Sequence, residues 1–208
     1  MAQQETTEVL SEPSETKPTS TSGIATRPVE PWEQPLPGGV PPERIGNHLL
    51  NFSLRKAPEM EEAMHLCHRL LSGTVWCVFL IGGFGNGKTH LAIGTLNEWM
   101  EAGHNGRFTK AADWLAMMRK HAVPEEGQVD SEYLLDAYAK VEMLAIDDLG
   151  AEKSTEWGAE QLYRLLDRRY DSRLPTFVTS NAPLAQLDPR IVSRLREGLV
   201  VCHSPDVR

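Results

Sequence analysis

The stretch WCVFLIGGFGNGKTHLAIG, residues 76–94, decides the fold. Six largely apolar residues run into four glycines within six positions, then a lysine and a threonine, then apolar residues again. An apolar run of strand length that breaks into glycines and reopens as a helix is how a parallel sheet presents backbone N–H groups to an anion. Residues 82–89, GGFGNGKT, satisfy G-x-x-x-x-G-K-[ST], with Gly82, Gly87, Lys88 and Thr89 in the fixed places. The glycines let successive amides turn inward on phosphate oxygens, and the helix N-terminus adds partial positive charge. The pattern predicts that Gly82, Gly83, Phe84, Gly85, Asn86, Gly87, Lys88 and Thr89, with His90 beside them, hold ATP. Lys88 would reach the β and γ phosphates, and the Thr89 hydroxyl would complete the shell of a Mg2+ ion. A glycine-rich turn that matches by chance is the bland alternative, and the strand before it and helix after it weigh against that.

Outward from the loop, helical and strand patterns alternate from residue 46 on. Met60, Met64, Cys67 and Leu71 share one face of a predicted helix that stops at Gly73. A strand is expected over 75–81, a helix from 88 to about 102, and a short strand at RFTK, residues 107–110. Two helices follow: 113–122, halted before Pro124, and 131–140, capped by Ser131 or Asp130. Then come a buried strand at 141–148, a helix at 154–171, a strand at 175–181, a helix at 188–197 and a last strand at 199–203. That order predicts a three-layer α/β domain with a mainly parallel sheet.

Composition marks the limits of that domain. A chain of 208 residues, 40% hydrophobic, can bury one good core but not two. Eight of the fourteen prolines and ten serines or threonines precede residue 45, with hardly any branched aliphatics, so residues 1–45 are expected to be a disordered tail and 46–208 the folded domain. Trp32, alone among the prolines of this tail, could dock as an extended peptide on a partner, although an ordinary proline-rich tail is the plainer reading. No run of eighteen apolar residues exists, and the N-terminus is polar and acidic, which predicts a cytoplasmic protein with no membrane partner. Cys67, Cys77 and Cys202 are scattered singly and read as core filler. A formal charge of -8 argues against strong non-specific nucleic-acid binding, though not against a local basic groove.

A triphosphate loop needs an acidic metal partner. The apolar run Met143–Ile146 leads straight into Asp147 and Asp148, at the strand end where open α/β sheets present their ligands. Asp147 suits a Mg2+ ligand acting through water, and Asp148 suits the group that polarises the attacking water. Glutamate more often holds the latter place, and the shorter aspartate arm implies slower hydrolysis. Asn181, at the tip of PTFVTSN, can donate its side-chain amide to a γ-phosphate oxygen or to that water. Arg190 and Arg194 lie four apart on one helix face. An arginine with no phosphate in its own loop suits a finger that completes a neighbour's site, whereas a solvated helix face is the plainer reading for Arg190.

The set GNGKTHLA, LAIDDLGAE, STEW, DRRYDSRLPTFVTSN and RIVSRL resembles the DnaC/DnaI-type helicase loaders, AAA+ ATPases related to the initiator DnaA, over roughly residues 46–208. The resemblance implies a five-stranded parallel sheet of order 5-1-4-3-2, Asn181 as the sensor I residue and Arg194 as the arginine finger. It places residues 113–140 where such proteins line a single-stranded DNA channel. It further implies an ATP-dependent homo-oligomer that grips single-stranded DNA and delivers a replicative DNA helicase. Loaders lack the helical lid of full AAA+ proteins, and the expectation here is likewise no C-terminal lid domain. Arg208 resembles the arginine that loaders place near their C-terminus to contact nucleotide. The short proline-rich tail departs from the folded helicase-binding domain such loaders carry. Two alternatives stand beside the loader: an IstB-like transposition helper acting on duplex DNA, in which DE is commoner than the DD seen here, and a P-loop small-molecule kinase.

Overall fold

In the computed structural model, residues 39–52, 58–124, 129–151 and 155–203 are described. Five strands, β1 (Cys77–Gly82), β2 (Gly106–Lys110), β3 (Met143–Asp147), β4 (Thr176–Ser180) and β5 (Leu199–Cys202), form one sheet in the order β2-β3-β4-β1-β5. Every pairing is parallel, so the sheet has the expected 5-1-4-3-2 order. The helices are α1 (Pro58–Leu71), α2 (Lys88–Glu101), α3 (Ala111–Lys120), α4 (Ser131–Lys140), α5 (Glu156–Ser172) and α6 (Pro189–Leu195).

Side-chain alternation along the strands divides the interior into two cores. From β1, Phe79 and Ile81 join Trp114 of α3, Tyr138 of α4, Leu162 and Leu166 of α5 and Leu195 of α6. Val78 and Leu80 face the other way, onto Cys67 and Leu70 of α1 and Leu91, Ile93 and Leu96 of α2. Each of these leucines, isoleucines and phenylalanines contributes roughly 1.5–3 kcal/mol by leaving water. A sheet covered on both faces explains why its strands read as apolar runs rather than alternating ones. The three cysteines are free and buried, as core filler should be. Burial pushes the thiols of Cys67 and Cys77 up to about 12 and that of Cys202 to about 11, so none is a reactive thiolate near neutrality. No helix among the described residues is long and apolar enough to cross a membrane.

Local chemistry sets the element ends. Asp130, not Ser131, caps α4, its carboxylate accepting from Tyr133 N at 2.7 Å. Thr155 caps α5 by accepting from Gly158 N at 3.1 Å, so that helix starts two residues later than its sequence pattern predicts. Strand β1 runs one residue further than expected because Gly82 pairs in register with Cys202 of β5. A Cβ on Gly82 would lie 2.1 Å from the Cys202 carbonyl oxygen, so only glycine fits where the sheet hands over to the loop.

Two features were not foreseen from the sequence. The backbone of residues 39–45, assigned there to the tail, is hydrogen-bonded to the domain while the side chains of 42–45 are exposed: Gly39 N donates to Phe108 O at 3.1 Å, and the carbonyls of Arg44 and Ile45 accept from Asn97 of α2. The rest of that tail, Trp32 included, lies outside the described residues. The second is Arg169 of α5, fully buried where an arginine is expected at the surface. Its Nη1 donates to the carbonyls of Tyr138, Ala139 and Val141 at 3.1, 3.1 and 2.7 Å. Its Nη2 donates to Pro175 O at 2.7 Å and its Nε to Thr176 Oγ1 at 2.9 Å. The guanidinium thus fastens the end of α4, where carbonyls lack helical partners, to the start of β4. Burial pushes it down to about 9, still charged at neutral pH.

Candidate functional site

The sheet order places β4 between β1 and β3, so the loop after β1 and the acids ending β3 converge across the tip of β4. Gly87, with φ +90°, turns the chain into α2 in a conformation that costs other residues about 1–2 kcal/mol. The residues Phe84 to His90, together with Asn181 and Arg44, line a cleft of about 470 Å3. Lys88 is folded onto its own loop, its Nζ donating to Gly82 O at 2.8 Å, Gly83 O at 2.6 Å and Asn86 Oδ1 at 2.9 Å. Burial holds its ammonium below the ordinary lysine value, and the charges of Asp147 and Asp148 work in the opposite direction.

Asp147, itself buried, is the hub. Its Oδ1 accepts from Thr89 Oγ1 at 2.8 Å and from Thr179 Oγ1 at 2.6 Å. The Thr179 hydroxyl in turn accepts from Asp148 N at 3.0 Å. One threonine therefore ties both acids of β3 to β4. Asp148 has φ +60°, a left-handed conformation uncommon for a non-glycine residue and often found at functional turns. Its Oδ1 accepts from Asn181 Nδ2, which joins the two residues singled out for handling the attacking water.

Whether these groups suit ATP and Mg2+ can be judged from the donors themselves. Asn86 Nδ2 is buried within the loop and has no hydrogen-bond partner, an orphaned donor of the kind a phosphate oxygen satisfies. Thr89 and Asp147 juxtapose a hydroxyl and a carboxylate, the hard oxygen ligands Mg2+ takes when it is also bound by phosphates. The residues fit both groups.

The two downstream arginines are not in the cleft. Arg194 donates from Nε to Asp167 Oδ1 at 2.7 Å, with its guanidinium carbon 4.9 Å from the Tyr170 ring centre. Arg190 pairs with Asp188 at 2.9 Å and Glu160 at 3.0 Å, the solvated helix face expected of it. Arg208 lies outside the described residues. Sequence reasoning overlooked two site residues. Thr179 stands inside TSN, two positions before Asn181, and its hydroxyl beside a strand tip was the available signal. Arg44 falls among prolines and carried none.

This loop, its paired acids and the sheet order can now be set beside known proteins. Residues 72–193, more than half of the chain, match the family described as IstB-like ATP binding protein. The chain belongs to that family. It is also 28% identical over 130 residues to the replicative helicase loader DnaC of Escherichia coli (strain K12), covering 61% of this chain and 52% of DnaC. It is 32% identical over 104 residues to the ATP-binding protein of insertion sequence IS5376 from Geobacillus stearothermophilus, covering 50% of this chain and 39% of that one. The chain thus spans about half or less of the curated relatives it matches. The crystal structure of DnaI superposes with a TM-score of 0.65 at 25% identity, over 80% of this chain and 95% of that one. The IstB-like chain is accordingly an AAA+ P-loop protein of the DnaC type.

Proposed function

We propose that this chain is an ATPase that loads a replicative DNA helicase, gripping single-stranded DNA as an ATP-dependent oligomer. The observation that carries the reading is the division of the site. Thr89, Asp147, Thr179, Asp148 and Asn181 form one connected hydrogen-bonded set at the loop, whereas Arg194 is held on α6 away from the cleft. A site that offers the γ-phosphate Lys88 but no arginine from its own α6 is one that a second subunit can finish, and transition-state charge is what an arginine finger serves.

On nucleotide binding, phosphate oxygens replace the Gly82 and Gly83 carbonyls as acceptors for Lys88, and Asn86 Nδ2 gains its missing partner. Thr89 and Asp147 would hold Mg2+, which would neutralise phosphate charge when bound. Asp148 accepts a proton from the attacking water while Asn181 fixes that water's position. Arg194 reaches a neighbour's phosphates only by leaving Asp167, which makes hydrolysis depend on assembly. The similarity to DnaC supports the helicase as partner, and a reducing cytoplasmic setting suits three free thiols.

A second reading, a transposition helper acting on duplex DNA, is supported by the family match and the IS5376 relative. The Asp147–Asp148 pair favours the loader. The experiment that separates them is binding of single-stranded and duplex oligonucleotides with and without ATP, and a duplex preference would favour the helper.

A further inference from the structure

We propose that Arg44 is a nucleotide-contacting residue, carried into the phosphate cleft by a strap formed from residues 41–52. The strap lies along one face of α2, the helix that opens at the phosphate loop. Asn97 Nδ2 donates to the carbonyls of Arg44, Ile45 and Asn47 at 3.3, 3.0 and 2.8 Å, so one buried side chain clamps three carbonyls of the strap. Glu98 Oε1 accepts from Leu49 N at 3.1 Å, and His90 Nε2 donates to His48 O at 3.2 Å. The fit is close enough that a Cβ on Gly94 would lie 3.1 Å from the strap's backbone at His48 and Leu49. At its far end Phe52 packs its ring onto Gly87 and tilts against His90, with ring centres 5.4 Å apart. Backbone is therefore fixed from the carbonyl of Arg44 onward to Phe52.

The Arg44 side chain lines the same cleft as Phe84 to His90 and has no hydrogen bond or ion pair among the described residues. Every other group facing that cleft has a part in the site already described, including Lys88 and Asn181. A guanidinium that no described residue partners, in a cleft lined by the loop residues Gly85 to Lys88, matches a ligand with anionic oxygens. The strap meets α2 at His90, Gly94, Asn97 and Glu98, whereas Asp147 meets it at Thr89, so Arg44 serves phosphate oxygens common to ADP and ATP rather than the γ-phosphate. The inference rests on reading the cleft as a nucleotide site.

The test is titration of the full chain with fluorescent ATP and ADP analogues, comparing wild type, Arg44→Ala, Arg44→Gln, Arg44→Lys and Lys88→Ala. Loss of a charge-assisted contact predicts affinity about tenfold or more weaker for both nucleotides in Arg44→Ala and Arg44→Gln, with partial recovery in Arg44→Lys. The strap is held through the backbone carbonyl of Arg44, so thermal unfolding without nucleotide should be unchanged in all three. Wild-type affinity in both neutral variants, with affinity lost in Lys88→Ala, overturns the proposal and leaves the nucleotide site standing. A loss confined to the ATP analogue also overturns it. Failure of the wild type to bind either analogue removes the nucleotide site, and the proposal with it.

Discussion

Replacing Arg169 with methionine tests whether one buried cation holds the sheet that carries the site. Methionine keeps much of the volume and removes every donor. The three carbonyls bound by Nη1, those of Tyr138, Ala139 and Val141, then stay buried without partners, each at a cost of about 1 kcal/mol or more. Pro175 O and Thr176 Oγ1 each lose one bond and keep another, to Leu144 N and Leu174 O, and these losses are offset by no longer having to bury the charge of the guanidinium. The sum is a loss of about 3 kcal/mol, large beside the roughly 5–15 kcal/mol total of an ordinary domain. The neighbouring Arg168 is the control. It pairs with Glu132 at 2.6 Å but is substantially exposed, so Arg168→Met should cost at most about 1 kcal/mol. Urea unfolding near neutral pH measures both. With a slope of about 2 kcal/mol per molar, the Arg169→Met midpoint should fall by about 1.5 M at unchanged slope. A midpoint within about 0.5 M of the Arg168→Met protein would refute the clamp. The consequence for function is indirect: Arg169 fixes the start of β4 against the turn into β3; β3 ends in Asp147, and Asn181 directly follows β4.

Two further outcomes follow from the site itself. Asp147→Asn keeps an oxygen for the Thr89 and Thr179 hydroxyls but removes the charge, so Mg2+-dependent turnover should fall roughly 10–100-fold with the fold intact; wild-type Mg2+ titration curves would contradict the metal assignment. Mixing Lys88→Ala with Arg194→Ala protein should restore part of the hydrolysis each lacks alone, because one kind of interface then joins an intact loop to an intact finger; no recovery at any mixing ratio removes Arg194 as a shared residue.

Much of this was legible in the chain because the chemistry is local. The loop is eight consecutive residues whose types follow from wrapping backbone around phosphate, and Asp147 announces itself by ending an apolar strand. Strand and helix types were readable from the runs, and their ends shifted by a residue or two wherever a cap or a register partner decided them, as at Thr155 and Gly82. What sequence did not reveal depends on contacts between distant segments. Thr179 matters because β4 separates β1 from β3, a fact of topology. Arg169 looks like a surface helix residue until five oxygens from two distant segments, 138–141 and 175–176, surround it. Residues 39–45 carry only two aliphatics among prolines and glycine and read as tail, yet the carbonyls of Arg44 and Ile45 are bound by one asparagine of α2, an arrangement that no periodicity reports. Arg194 is the reverse case: the sequence singled it out, and within its own chain it pairs with Asp167 instead of meeting the loop.

The most direct test of the account is the DNA-binding affinity of the full chain, measured with ATP, with ADP and without nucleotide, on single-stranded and duplex oligonucleotides of equal length at fixed salt. The account predicts tight binding to single-stranded DNA with ATP, lost without it and lost in Lys88→Ala. Equal binding in all nucleotide states, or a preference for duplex, would contradict it.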